Sequence, residues 1–166
     1  IFLQNINDLN LARVVQLFNK TNQFTATGRR ITGDEIEELD RESFLVLGAS
    51  DRFSERENIG VICIQDAPKS ATIEIKEFVL SCRALGKGIE ERVLGWVVEE
   101  AYKQERIKLR ARSKKLARNV PLLNLYKKYD LCDGAMRISY RSAAKFSIFN
   151  CLKVYDERKY GVFHGG

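Results

Sequence analysis

The chain has 166 residues, 45% of them hydrophobic and 30% charged, with 28 basic against 22 acidic side chains, one His, four Cys, two Pro and one Met. A chain of about this length buries roughly 68–70% of the surface it exposes when unfolded, so a single core can hold it without disulfides or a structural metal, and the composition is not that of a disordered tract. The longest apolar stretches, Phe44 to Leu47 and Ile59 to Ile64, fall far short of the roughly 18 residues that span a bilayer.

Cys63, Cys82, Cys132 and Cys151 contain no CxxC pair and no zinc-ligand spacing, so free thiols in a reducing cytoplasm are expected and no metal is. The only His, His164, lies in a Gly-rich tail, which argues against Ser-His-Asp or Cys-His catalysis. The only Met is Met136, and Ile1 to Asn7 lack the features of a signal peptide; residues 1–166 are therefore expected to be one domain cut from a larger polypeptide.

In chain order, Asp8 with Leu9, Leu11, Val14, Val15 and Phe18 predicts a helix over 8–20 with Asp8 as its N-cap. Thr21 to Arg30 reads as a loop. Thr32 followed by Glu35 is a capping-box pattern that opens an acidic helix to about Asp40. Phe44 to Gly48, Ile59 to Gln65 and Ala71 to Cys82 are β-rich runs, the last two separated by an Ala67 to Ser70 turn, and together they predict a small antiparallel meander. Ile89, Val93, Trp96, Val97 and Ala101 give an amphipathic helix of about 15 residues. Ile107, Leu109 and Ala111 alternate with cations as in a half-buried strand. Asn119 with Pro121 opens a further helix bearing Leu122, Leu125, Tyr126 and Tyr129 on one face. Met136 to Tyr140 and Phe146 to Tyr155 are strand-like. This order predicts an α+β fold, a central mixed sheet with helices packed on it.

Charge is unevenly placed. Residues 1–102 hold 12 basic and 17 acidic side chains, and residues 103–166 hold 16 and 5. The excess peaks in Lys103 to Arg118, which is either a solvated basic face or a surface for an anionic partner. No nucleic-acid motif accompanies it and its aromatics are not interleaved, so nucleic acid is the least favoured partner.

The stretch Ser81-Cys82-Arg83-Ala84-Leu85-Gly86-Lys87-Gly88 lies between a strand and the strongest helix. Gly86 and Gly88 allow a tight turn and close backbone approach, and the free amides of the following helix suit a phosphate; a plain turn is the other reading. Glu90 and Glu91, in the first turn of that helix, stand ready to satisfy its dipole instead.

Arg83-x-x-Gly86-x-Gly88 resembles the Q/R-x-x-G-x-G/A loop of the GCN5-related N-acetyltransferase (GNAT) superfamily, and Asn119 and Tyr126 match an Asn and a Tyr seven residues apart on a downstream helix of that superfamily. Asp130-Leu131 replaces the family's usual Gly-Phe after that helix. A narrower resemblance runs through Asn19 to Phe24, Arg29-Arg30, Asp51-Arg52-Phe53, Ile59-Gly60-Val61 and Phe78 to Arg83, which look like the C-terminal acyltransferase-like part of FkbH-type proteins, associated with methoxymalonyl carrier-protein biosynthesis. Lys76 and Thr25 depart from that pattern. The haloacid-dehalogenase-like domain that precedes this part in the family, with its DxD motif, has no counterpart in these residues.

The resemblance implies a GNAT-like fold, a mostly antiparallel mixed sheet flanked by about four helices, that transfers an acyl group from acetyl-CoA or another phosphopantetheine thioester directly to an acceptor. It implies that the backbone of Leu80, Ser81 and Cys82 pairs with the pantetheine arm and that Leu85, Gly86, Lys87, Gly88 and Ile89 hold the pyrophosphate, assisted by Arg83 and by Asn119. Tyr126 would be the general acid, unless it is an ordinary core member, and Asn119 is alternatively only an N-cap. Glu74 or Glu77 is the candidate base, placed on opposite faces by strand alternation. Cys82 reads as structural rather than nucleophilic. Asn22, Gln23, Phe24, Arg29 and Arg30 would border the acceptor cleft, or form a surface loop packed by Phe24. A catalytically quiet module that docks an acidic acyl carrier protein through Lys103 to Arg118 is the alternative.

Overall fold

The computed structural model describes residues 1–38, 40–51, 54–131, 135–146 and 152–160. Strand β1 (Phe2–Asn5) leads into helix α1 (Asp8–Lys20). The cap of α1 is Asn7, not the expected Asp8: Asn7 is extended and its Oδ1 accepts from the amides of Leu9 and Asn10, each at 3.0 Å. Asp8 is the first helical residue, where its carboxylate meets the positive end of the dipole. Helix α2 (Gly33–Glu38) opens on the reciprocal Thr32–Glu35 box, the Thr32 amide donating to Glu35 Oε2 at 2.7 Å and the Glu35 amide to Thr32 Oγ1 at 3.3 Å.

Strands β2 (Phe44–Ala49), β3 (Glu57–Ala67) and β4 (Thr72–Leu80) form the antiparallel meander that the sequence predicts. Helix α3 (Ile89–Lys103), strand β5 (Lys108–Ala111) and helix α4 (Val120–Lys128) follow. The strand expected over Met136 to Tyr140 is shorter: β6 (Ala135–Arg137) gives way to helix α5 (Tyr140–Ala144). The cause is a serine pair, the Ser139 amide donating to Ser142 Oγ at 2.7 Å and the Ser142 amide to Ser139 Oγ at 3.2 Å, which turns the chain into the helix. Of the strand-like run Phe146 to Tyr155, residues 147–151 lie outside the described residues, and its end enters β7 (Tyr155–Asp156).

The seven strands form one mixed sheet in the order β6-β5-β4-β3-β2-β1-β7, antiparallel except for β4–β5 and β1–β7. One face carries Leu45, Leu47, Ile73, Ile75, Phe78 and Leu80 against α3 and α4, and the other carries Val46, Val61 and Val79 against α1 and α2.

Register explains a correction. Cys63 pairs with Glu77 but Ile64 pairs with Ile75, so Lys76 is an extra residue bulged from β4. The bulge resets side-chain parity: Ile73 and Ile75 share a face with Phe78 and Leu80, five residues on. Glu74 and Glu77 therefore lie on the same face, that of Val79, and not on opposite faces as strict alternation predicts.

Candidate active site

β4 ends at Leu80 and runs through a single 3-10 turn, Cys82–Ala84, into Gly86 and Gly88, both with φ +74°. That left-handed conformation is the reason the two positions need glycine. Gly86 and Lys87 are exposed, and a Cβ built at Gly86 would meet nothing within 4 Å, so the space beside the loop is open there. Arg83 is 82% exposed and lies 3.7 Å from Glu57. One doubt from the sequence is realised: Glu90 Oε1 accepts the Gly86 amide at 3.3 Å, placing a carboxylate in the loop. Glu91 turns elsewhere, to Lys128 at 2.9 Å and the Tyr129 hydroxyl at 2.7 Å.

Beside this loop the sheet splits. β4 and β5 pair only from Thr72–Lys108 to Ile75–Ala111, after which the Arg112 amide still donates to the Ile75 carbonyl at 2.8 Å. The segment Phe24–Ala26 enters the gap. The Leu80 amide donates to the Phe24 carbonyl at 3.0 Å, the Ala26 amide to the Phe78 carbonyl at 3.1 Å, and the Lys114 amide to the Ala26 carbonyl at 2.8 Å. Asn119 fixes the layer: its Nδ2 donates to the carbonyls of Thr25 (3.0 Å) and Lys114 (2.8 Å), and its Oδ1 accepts the Leu116 amide at 2.9 Å.

Several expectations change accordingly. Asn119 does not cap α4 with its side chain; it is fully buried, with its amide oxygen and nitrogen committed to this layer. The backbone of β4 expected to pair with a pantetheine arm is already paired, Leu80 to Phe24 and the Ser81 amide to the Ile59 carbonyl at 2.7 Å. Phe24 borders no cleft with its ring: it is 1% exposed and packs edge-on against Phe78 with centroids 5.0 Å apart. Such pairings join residues about 20 to 95 positions apart, and local patterning carries no signal of them.

Glu77 is 8% exposed, held by Thr27, whose Oγ1 donates to its Oε1 at 2.5 Å. Its Oε2 is buried with no hydrogen-bond partner among the described residues. Burial pushes its carboxyl above the usual range, opposed by the Thr27 hydrogen bond and the charges of Arg29 and Arg112. Glu74 is half-buried and ion-paired with Lys76. Tyr126 is fully buried on α4 within the core beneath the sheet. The structure thus joins Glu77 to the Thr27–Arg29 loop and places Tyr126 on the other face of the sheet.

Asn22 and Arg30 are bonded to each other at 2.8 Å, Gln23 is exposed, and Arg29 lies 3.9 Å from Glu35. A cleft of about 380 Å³ opens among Asn22, Thr25, Gly28, Arg30, Leu116 and Arg118. A second cavity of about 330 Å³ lies beside the glycine loop, lined by Arg83, Lys87, Ile89, Glu57 and Ser50 among others. Thr27, Leu116 and Glu57 belong to no sequence motif and are recruited by folding alone, whereas Arg118 ends the basic segment already singled out. Cys63 is buried, its thiol pushed up to about 12 chiefly by desolvation, whereas Cys82 is exposed. Cys132, Cys151 and His164 lie outside the described residues.

Solved structures share this arrangement of strands and helices. Ard1 from Thermoplasma volcanium superposes on 76% of this chain and 79% of its own with 16% identity and a TM-score of 0.56. The ribosomal-protein-S18-alanine N-acetyltransferase of Escherichia coli does so over 82% and 93%, with 13% identity and a TM-score of 0.56. The chain has the GNAT fold. The spermidine N-acetyltransferase of Vibrio cholerae, solved with CoA and spermine, also shares this GNAT architecture, over 79% of this chain and 78% of its own at 14% identity and a TM-score of 0.55. No protein-family model and no curated protein sequence matches the chain. Among the described residues no helix is long and apolar enough to cross a membrane.

Proposed function

We propose that this GNAT-fold chain transfers an acyl group from a CoA-type thioester directly to an acceptor. The observation that carries the reading is the loop after β4, where left-handed Gly86 and Gly88 lead into the N-terminus of a 15-residue helix. The CoA bound to the Vibrio cholerae neighbour supports it. The amides of Leu85 to Ile89 hold the phosphates, with Arg83 and Lys87 adding charge. The acceptor nucleophile attacks the thioester carbon, Glu77 takes its proton, and the C–S bond breaks; for Tyr126, buried on the other face of the sheet, to protonate the departing thiolate, the split between β4 and β5 has to open to it. A carboxylate whose burial raises its proton affinity is suited to the first role. For the arm to pair with β4, Phe24–Ala26 withdraws from Leu80 and Phe78.

That last requirement favours a second reading, in which the fold is a quiet docking module for an acidic acyl carrier protein. Its specific support is the Leu80–Phe24 bond, which occupies the β4 edge, and the Glu90 carboxylate, which repels a phosphate. The FkbH-type segments support a methoxymalonyl-precursor setting, and a haloacid-dehalogenase-like partner domain, for either reading.

Calorimetric titration with acetyl-CoA, CoA and desulfo-CoA separates the two. Acyl transfer requires saturable binding of all three; no heat from any of them overturns it and leaves the docking module.

A further inference from the structure

The molecule pairs many of its cations. Arg13, Arg56, Arg92, Lys103, Arg106, Lys128 and Arg158 each meet a carboxylate within 3.1 Å. The cations of β5 and β6, and Arg112 directly after β5, do not follow this pattern: among the described residues Lys108, Arg110, Arg112 and Arg137 form no ion pair, and all four are exposed.

Sheet register collects them. Leu109 and Met136 pair with each other and are buried in the α3/α4 core, so their neighbours Lys108, Arg110 and Arg137 point out together from the opposite face. Lys108 stands directly opposite Arg137, a like-charge cross-strand pair that is unfavourable unless an anion lies over it. The carboxylate in register with Arg110 is Glu74, and it is taken by Lys76. At the other end of the row, Arg112 and Arg29 act on Glu77 by charge.

We propose that this row, from Arg137 and Lys108 through Arg110 to Arg112, is the track on which an acidic peptide segment of the acceptor lies. Alternate residues of a strand repeat every roughly 7 Å, and an extended peptide with acidic residues at alternate positions has the same repeat, so carboxylates and cations match along the row. A peptide fits better than a single-stranded nucleic acid, which relies on stacking its bases on aromatic rings. Among the residues whose burial is described, the exposed aromatics are Tyr102 and Tyr155, and they lie on α3 and β7, not on β5 or β6. The surface stands on its own geometry; only the identification of the peptide with the acceptor rests on the acyl-transfer reading.

The test is fluorescence anisotropy with three labelled probes of equal length: an alternating Glu-Gly peptide, an alternating Lys-Gly peptide and oligo-dT. The acidic peptide should bind, weaken as salt is raised past the point where the Debye length falls below about 8 Å, and lose about tenfold or more in affinity in the triple variant Lys108→Glu, Arg110→Glu, Arg137→Glu. The neutral triple variant, with Gln at the same positions, guards against a folding artefact: it removes the Lys108–Arg137 repulsion and should melt no lower than the wild type while also binding more weakly. Peptide affinity unchanged in both variants overturns the proposal. Oligo-dT bound more tightly than the peptide overturns it in favour of a nucleic-acid surface. Titration of CoA on the same samples keeps the two ideas apart: peptide binding without CoA binding sinks acyl transfer and retains the track, and the reverse sinks the track alone.

Discussion

The Leu80 amide donates to the carbonyl oxygen of Phe24 at 3.0 Å, so the end of the central strand is paired with a loop 56 positions earlier in the chain. Asn119 locks that pairing from behind through Thr25 and Lys114. Asn119→Ala leaves two carbonyls and the Leu116 amide without their partner in a buried layer, and the protein should lose about 2–4 kcal/mol in urea unfolding. Hydrogen exchange at the Leu80 amide should accelerate in the same variant. If an acyl-thioester arm competes with Phe24–Ala26 for β4, CoA affinity should rise as stability falls; a parallel fall in both would show that the layer does not stand in the way of the arm.

Glu77 sets a pH dependence whose sign follows from its burial. In the unfolded chain it loses its proton near 4.5, whereas the folded protein holds the proton to higher pH. Between those two values the unfolded state binds fewer protons, so stability falls as pH rises through the window and the penalty persists above it. Glu77→Gln should be more stable than the wild type at neutral pH, with the difference vanishing below about pH 4, as measured by thermal melts across pH. The same variant should abolish the acid limb of the rate profile if Glu77 accepts the acceptor's proton.

Gly86 and its open surroundings separate backbone strain from ligand contact. Because φ is +74° and a Cβ meets nothing within 4 Å, Gly86→Ala should cost only about 1 kcal/mol in stability. Under the acyl-transfer reading the added methyl obstructs close approach of a phosphate to the loop, so calorimetry should show weakened CoA binding beyond what the stability change explains.

Thiol reactivity should divide the cysteines. A maleimide reagent followed by peptide mapping should modify exposed Cys82 rapidly and leave Cys63 untouched in the native protein, since the Cys63 thiol is buried and pushed up to about 12. CoA added beforehand should slow the labelling of Cys82 if the loop holds the phosphates.

Tyr126→Phe should preserve CoA affinity and lower turnover if the phenol protonates the leaving thiolate. Equal turnover removes Tyr126 from the mechanism and leaves it as the core residue that its full burial on α4 describes.

The sequence by itself determined the local elements. Apolar periodicity set α1, α3 and α4, the Thr32–Glu35 pair set the start of α2, and Gly86 and Gly88 marked the loop because left-handed backbone demands a residue without a Cβ. These signals lie within a few residues of one another, where capping and side-chain period act. Tertiary structure decided everything that depends on which distant backbones meet. The Lys76 bulge brought Glu74 and Glu77 to one face, Phe24–Ala26 filled the split between β4 and β5, and Asn119 became a structural clasp. β1 and β7, four and two residues long, exist only because each has a neighbour to pair with. The basic excess was visible as a count, but only the register of Lys108 opposite Arg137 turned it into a row of unpaired cations on one face of the sheet.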